Sequence, residues 1–238
     1  MINLKIFYQK NQNKLFILGN LILIILALWF FQVSNFDVKL QNNFFNFTKQ
    51  TWIVDSDEPI KKLFFYQLPK VFLGIAILSC LVLCLIAFLK TTNKFYNYRQ
   101  QLLLALIGLS LIPIIAGNVK KFTNIYCPNQ LEIYNGNKPY VKIFDSYPSG
   151  FVQEKKAQCF PAGHAVTGFA LYILAFVFIG KKLKFFSFIL ASFAGWILGF
   201  YQILKGAHFF SDTLIAMLLS LFLAQIIASF FKKFYKIF

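Results

Sequence analysis

The 238-residue chain is poor in acidic residues, histidine and sulfur: eight Asp and Glu stand against 24 Lys and Arg, with two His, four Cys and two Met. So few carboxylates and imidazoles do not furnish a convincing protein metal cage, so no metal and no cofactor is expected. No internal repeat and no low-complexity tail occurs, which excludes solenoids and biased linkers. No A-x-A cleavage site follows the first apolar stretch, and the stretch is long for a signal peptide, so it is read as a retained helix. The polarity of a soluble domain is also missing: the chain is 58% hydrophobic and 19% aromatic, with a mean hydropathy of +0.64. The wealth of Phe, Lys, Ile and Asn suggests an AT-rich bacterial genome.

What is present is a set of long apolar runs, the mark of an integral membrane protein. Six spans are predicted, at 15–33, 69–89, 101–119, 164–180, 185–204 and 209–231. Each is near the ~20 residues that cross ~30 Å of hydrocarbon as a helix. Pro113 and Gly117 interrupt the third, and the fourth is short. The predicted fold class is an all-α membrane protein with six transmembrane helices, a periplasmic loop and an active site at one membrane face.

Charge orients these spans. Lys5, Lys10 and Lys14 precede the first; Lys90, Lys94 and Arg99 follow the second. Lys181, Lys182 and Lys184 follow the fourth, and Lys232, Lys233 and Lys236 follow the sixth. These four segments hold no acidic residue; Asp37, Asp55, Asp57, Glu58, Glu132, Asp145, Glu154 and Asp212 all fall on the other side. The positive-inside rule places both termini in the cytoplasm of a bacterial inner membrane. The net charge of +16 therefore reflects topology, and no nucleic-acid partner is expected. The chain divides into an N-terminal helix and outer loop (1–68), a membrane core (69–231) and a basic tail (232–238). Within the first outer loop, residues 40–53 carry Phe44, Phe45, Phe47 and Trp52 and read as an amphipathic segment on the membrane.

Both histidines belong to the outer side. His164 in AQCFPAGHAVTG opens the fourth span, and His208 in KGAHFFSDTL opens the sixth. Asp212 follows His208 by four residues, on one helical face, where a carboxylate fixes the imidazole tautomer and favours its positive form. An acid inside a membrane helix is costly and usually functional. In PAGH (161–164), Pro161 suits a helix start, and free N–H groups there bind anions. Lys120 and Lys121 close the third span on the same side, and Lys205 precedes His208 by three. PSGF (148–151) has no histidine and reads as a turn.

Taken together these pieces resemble the type 2 phosphatidic acid phosphatase family of membrane lipid phosphatases, which carries K-x6-R-P, P-S-G-H and S-R-x5-H-x3-D. Here Lys120 and Cys127-Pro128 stand at the first motif with Cys127 for arginine, and Pro161-Ala162-Gly163-His164 at the second with Ala162 for serine. Gly206, His208 and Asp212 stand at the third, with Tyr201-Gln202 for Ser-Arg. The pattern is similar to a bacterial branch reading C-P, C-F-P-A-G-H-A and Q-x2-R-G-A-H: this chain has CPNQL, CFPAGHA and QILKGAH. The resemblance covers about residues 69–231.

The resemblance implies a nucleophile at His208, held by Asp212, with His164 protonating the leaving oxygen and then activating water. It implies that Lys120 and Lys205 hold the phosphoryl oxygens with the N–H groups of Ala162 and Gly163, Lys121 being a spare candidate and Lys205 standing in for the lost arginine. The implied substrate is a membrane lipid phosphate or diphosphate, lipid A slightly ahead of undecaprenyl diphosphate and phosphatidylglycerol phosphate, and the bilayer is the other partner. A lipid phosphotransferase shares this chemistry; a non-catalytic transport or lipid-binding protein is the reading from another class. Cys127 and Cys159 flank these motifs on the oxidising side and are read as a disulfide, with free thiols the alternative. Cys80 and Cys84, one turn apart in the second span, are read as packing residues.

Overall fold

The computed structural model describes residues 2–55, 58–89 and 94–235. Asp57, Lys90 and Lys236 lie outside the described residues, as do the side chains of Lys5 and Lys10. A long helix α1 (Ile2–Val33) leads into the short α2 (Phe36–Gln41) and an antiparallel hairpin of β1 (Phe45–Asn46) and β2 (Thr51–Trp52). Helix α3 (Pro59–Lys62) runs through a π turn (Leu63–Gln67) into α4 (Leu68–Leu89), and α5 (Arg99–Thr123) follows. After a structured outer loop come α6 (Gly163–Phe169), a 3-10 turn (Ala170–Ile173), α7 (Leu174–Val177), α8 (Lys181–Leu204) and α9 (Phe210–Tyr235).

Among the described residues, five helical stretches are long and apolar enough to cross a membrane, and Gly163–Val177 is a shorter apolar one. The chain is an all-α, multi-pass membrane protein. Helices are the expected outcome, because hydrocarbon offers no partner for an unpaired backbone group. Pro113 sits inside α5 without ending it; neighbouring helices make such prolines tolerable. The second apolar helix starts ten residues before the predicted span, at Pro59. Its extra turns stand over the site described below.

The bundle buries Leu109, Ile112, Phe169, Tyr172 and Ile173 at its centre. Its outer surface is apolar as well, with Phe72, Ile75, Phe186 and Phe193 exposed, the pattern of a lipid-facing wall. α1 lies against α9, α4 against α5, and α6 against α8.

Residues 40–53 comprise the end of α2, a 3-10 turn and the hairpin. Phe45 is buried between Trp52 (ring centroids 4.8 Å) and Tyr134 (5.4 Å). Tyr134 of the loop after α5 offers this apolar seat to Phe45 and Trp52, while Phe47 stays exposed. PSGF is a turn, Phe151 N–H donating to Pro148 C=O at 3.1 Å.

Candidate active site

Two turns bring the third motif to a point. Gly206 adopts φ +70° between α8 and α9, and the Trp52 indole fills the space that a Cβ would take. The Gln202 carbonyl accepts the N–H groups of Ala207 (2.8 Å) and His208 (3.3 Å), so His208 is delivered just ahead of α9. His208 Nδ1 lies 2.9 Å from Asp212 Oδ2, which also accepts Phe209 N–H at 3.0 Å. Both side chains are buried. Burial pushes the His208 imidazole well below its ordinary pKa, and the charges of Lys120 and Lys205 add to this. The Asp212 contact at Nδ1 orients the ring and leaves Nε2 as the nitrogen that Asp212 does not engage.

The second motif faces the third. The ring centroids of His164 and His208 are 6.4 Å apart. Both His164 nitrogens are enclosed and have no hydrogen-bond partner among the described residues. An orphaned buried imidazole beside a second histidine and lysines is suited to a phosphate oxygen. Lys120 Nζ donates to Gln158 C=O at 3.3 Å, and a Cβ on Gly163 would stand 3.1 Å from that Nζ. Glycine thus lets α6 and the Lys120 side chain share the same small space. Lys205 Nζ stands 5.3 Å from the Tyr201 ring centroid and 5.7 Å from that of Tyr66.

Most sequence-predicted residues therefore converge: His208, Asp212, His164, Lys120, Lys205 and Gly163. Two do not take the expected part. Ala162 donates its N–H to the Asp212 carbonyl at 3.0 Å, so this group ties the second motif to the third and is not free for a phosphate. Lys121, the next helix position after Lys120, is exposed and makes none of these contacts.

Cys127 and Cys159 form a disulfide, with Cα atoms 5.1 Å apart. Cys159 Sγ lies 3.2 Å from His208 Nδ1 and 3.6 Å from Asp212 Oδ2, so the bridge backs the histidine–carboxylate pair. Ligand atoms of Cys127, Cys159 and His208 fall within 4.8 Å of one another, but two sulfurs bonded to each other are not thiolate ligands.

The N-terminal half supplies groups that sequence reading missed. Asp37 on α2 is buried and its Oδ1 accepts Ser211 N–H at 3.0 Å, in the first turn of α9. A carboxylate there satisfies an orphan donor and complements the helix dipole. Burial raises its pKa to about 7, against the pull of the Ser211 hydroxyl and N–H and of Lys142. The folded value exceeds the unfolded one near 3.9, so folding takes up a proton between them. That contribution is complete at acid pH and is lost as pH rises through about 7. Asp37→Asn is expected to flatten this fall: between pH 5 and pH 8 in detergent, the wild-type melting temperature drops further than the variant's. Equal drops would show that Asp37 is not the titrating group.

Tyr66, in the π turn, lies over His164 with ring centroids 4.4 Å apart, and Lys70 Nζ stands 3.9 Å from the Tyr66 centroid. Beside them an apolar groove of about 570 Å³ runs between α4, α6 and α8, lined by Phe64, Leu68, Phe72, Thr167, Gly168 and Leu171.

No curated protein and no solved structure matches the chain. Residues 101–236 match the family model described as the PAP2 superfamily. The match takes in every motif residue from Lys120 to Asp212 and more than half of the chain. The chain belongs to the PAP2 superfamily, which makes it a membrane-embedded phosphatase of the lipid-phosphatase type.

Proposed function

We propose that this protein removes phosphate from a membrane lipid through a phosphohistidine, at the periplasmic face of a bacterial inner membrane. The observation that carries the reading is His208, held by Asp212 at 2.9 Å, facing the partnerless ring of His164 at 6.4 Å. His208 Nε2 attacks phosphorus, and the bond from phosphorus to the lipid oxygen breaks. His164, carrying the second proton it takes up when the phosphate dianion binds beside it, gives that proton to the leaving oxygen and becomes neutral, and Asp212 stabilises the imidazolium formed at His208. His164 then takes a proton from water, whose oxygen attacks phosphorus as the P–N bond breaks. Lys120 and Lys205 neutralise the equatorial oxygens throughout. The site residues supply nucleophile, acid and cations, so catalysis without a metal is expected.

The apolar groove that reaches Thr167 and Gly168, one helical turn after His164, supports a lipid substrate, because it offers a hydrocarbon chain a seat close to the site. The loop charges support six crossings, with Gly163–Val177 as the fourth, and both termini in the cytoplasm. Lipid A is the substrate placed first and undecaprenyl diphosphate second.

The test is phosphate release from lipid A, undecaprenyl diphosphate and phosphatidylglycerol phosphate, with and without EDTA. Release by the wild type is expected to survive EDTA. His208→Ala is expected to lose it by at least ~10³-fold, the scale seen when a covalent nucleophile is removed. Release by His208→Ala at the wild-type rate refutes the phosphohistidine route, and loss in EDTA refutes the metal-free one.

A further inference from the structure

The family motif arginines are absent from this chain, Cys127 and Gln202 standing in their places. Two lysines from other parts of the chain, Lys70 and Lys205, instead converge on the ring of Tyr66. The π turn at Leu63–Gln67 presents two consecutive aromatic rings to two different motifs. Phe65 stacks on Tyr201 at 4.6 Å with the planes 15° apart, and Tyr66 lies on His164 at 4.4 Å. A π turn shifts the phase of a helix by one residue and is often kept where a helix meets a functional site. Here it seats α4 against the second and third motifs together. One turn later, Lys70 places its ammonium 3.9 Å from the Tyr66 ring centroid, and Lys205 reaches the same ring at 5.7 Å.

We infer that Tyr66 and Lys70 complete the phosphate-binding face of this site, Lys70 taking a phosphoryl oxygen in place of the missing arginines and Tyr66 holding both Lys70 and His164 in position. The inference rests on the phosphatase reading above. Its ligand chemistry is a phosphate dianion, either the headgroup of a lipid or free phosphate. The ring anchors Lys70 by a cation–π contact, which limits the freedom that a lysine otherwise loses on binding. Tyr66 is a positioning residue, since it acts through its neighbours, whereas Lys70 touches the substrate. A lysine that merely reached for the membrane interface would leave phosphate affinity untouched.

Binding separates this inference from turnover. Inorganic phosphate and a short-chain phosphatidic acid are titrated calorimetrically into the detergent-solubilised full chain. Lys70→Gln is expected to weaken both by about tenfold, the loss of one charge-assisted hydrogen bond, and Lys70→Arg to restore both. Lys62→Gln, on the exposed face of α3, serves as the control and binds as wild type. Tyr66→Phe is expected to keep the wild-type pH profile of release, and Tyr66→Leu to move it. Equal affinities in wild type and Lys70→Gln overturn the inference, as does weakening confined to the lipid or a wild type that binds no phosphate. His208→Ala is expected to bind phosphate normally without turnover. If it binds and still turns over, the phosphohistidine reading fails and the Lys70 result stands on its own.

Discussion

Asp212→Asn is expected to lower phosphate release by roughly 10³- to 10⁴-fold with the fold intact, the cost of misorienting an imidazole of the wrong tautomer. Asp212 Oδ2 accepts from His208 Nδ1 and from Phe209 N–H, while its own main-chain carbonyl accepts Ala162 N–H. An amide of the same shape retains the main-chain link between the two motifs. Its oxygen still takes one donor, but the charge that stabilises a transient imidazolium is gone. In a site screened from water that charge has its largest effect. The measurement is kcat on the best lipid beside a thermal melt. A kcat within a few-fold of wild type would assign Asp212 a structural part alone.

Removing the Cys127–Cys159 bridge gives the second large effect, on stability. The bridge spans 32 residues of sequence, and chain entropy alone puts its contribution at about 4 kcal/mol. Its position adds a second consequence. With Cys159 Sγ 3.2 Å from His208 Nδ1, the bridge forms a wall of the nucleophile's pocket as well as a staple of the outer loop. Cys127→Ala/Cys159→Ala is therefore expected to melt well below wild type and to release phosphate more slowly at temperatures where it is still folded. Treating the wild type with a thiol reductant should reproduce the stability loss. An unchanged melt in both cases would show that packing of the loop, through Tyr126, Tyr134 and Phe209, suffices without the bond.

The membrane class, the order of the apolar helices and most of the site were legible in the sequence, because each rests on local spacing. His208 and Asp212 lie one turn apart, and PAGH opens an apolar run. Other parts needed long-range information. Ala162 carries the right spacing, but its N–H is taken by a carbonyl fifty residues away, which no local pattern records. The spacing to Cys127-Pro128 put Lys120 ahead of Lys121, and the rotation of about 100° between neighbouring helix positions is the physical reason that one meets Gly163 and the other is exposed. Asp37, Tyr66 and Lys70 come from segments that read as outer loop and second span. One signal for Lys70 was present: it opens an apolar run at the same membrane side as Lys120. The apolar stretch that His164 opens was legible as short, and its division into α6, a 3-10 turn and α7 was not.

That short helix has a consequence for the lipid around it. From Gly163 to Val177 it measures roughly 22 Å at 1.5 Å per residue, against about 30 Å of hydrocarbon. If its inner end is anchored by the lysines that begin α8, its outer end, where His164 stands, lies several ångströms beneath the headgroup plane. Hydrophobic mismatch of this kind is relieved by local thinning of the bilayer. A dimple over the site would lower a lipid's phosphate to the level of the histidines while its neighbours stay at their usual height. Bilayer thickness thereby becomes a variable of the reaction, and membranes of different acyl length would present the same headgroup to this protein at different depths.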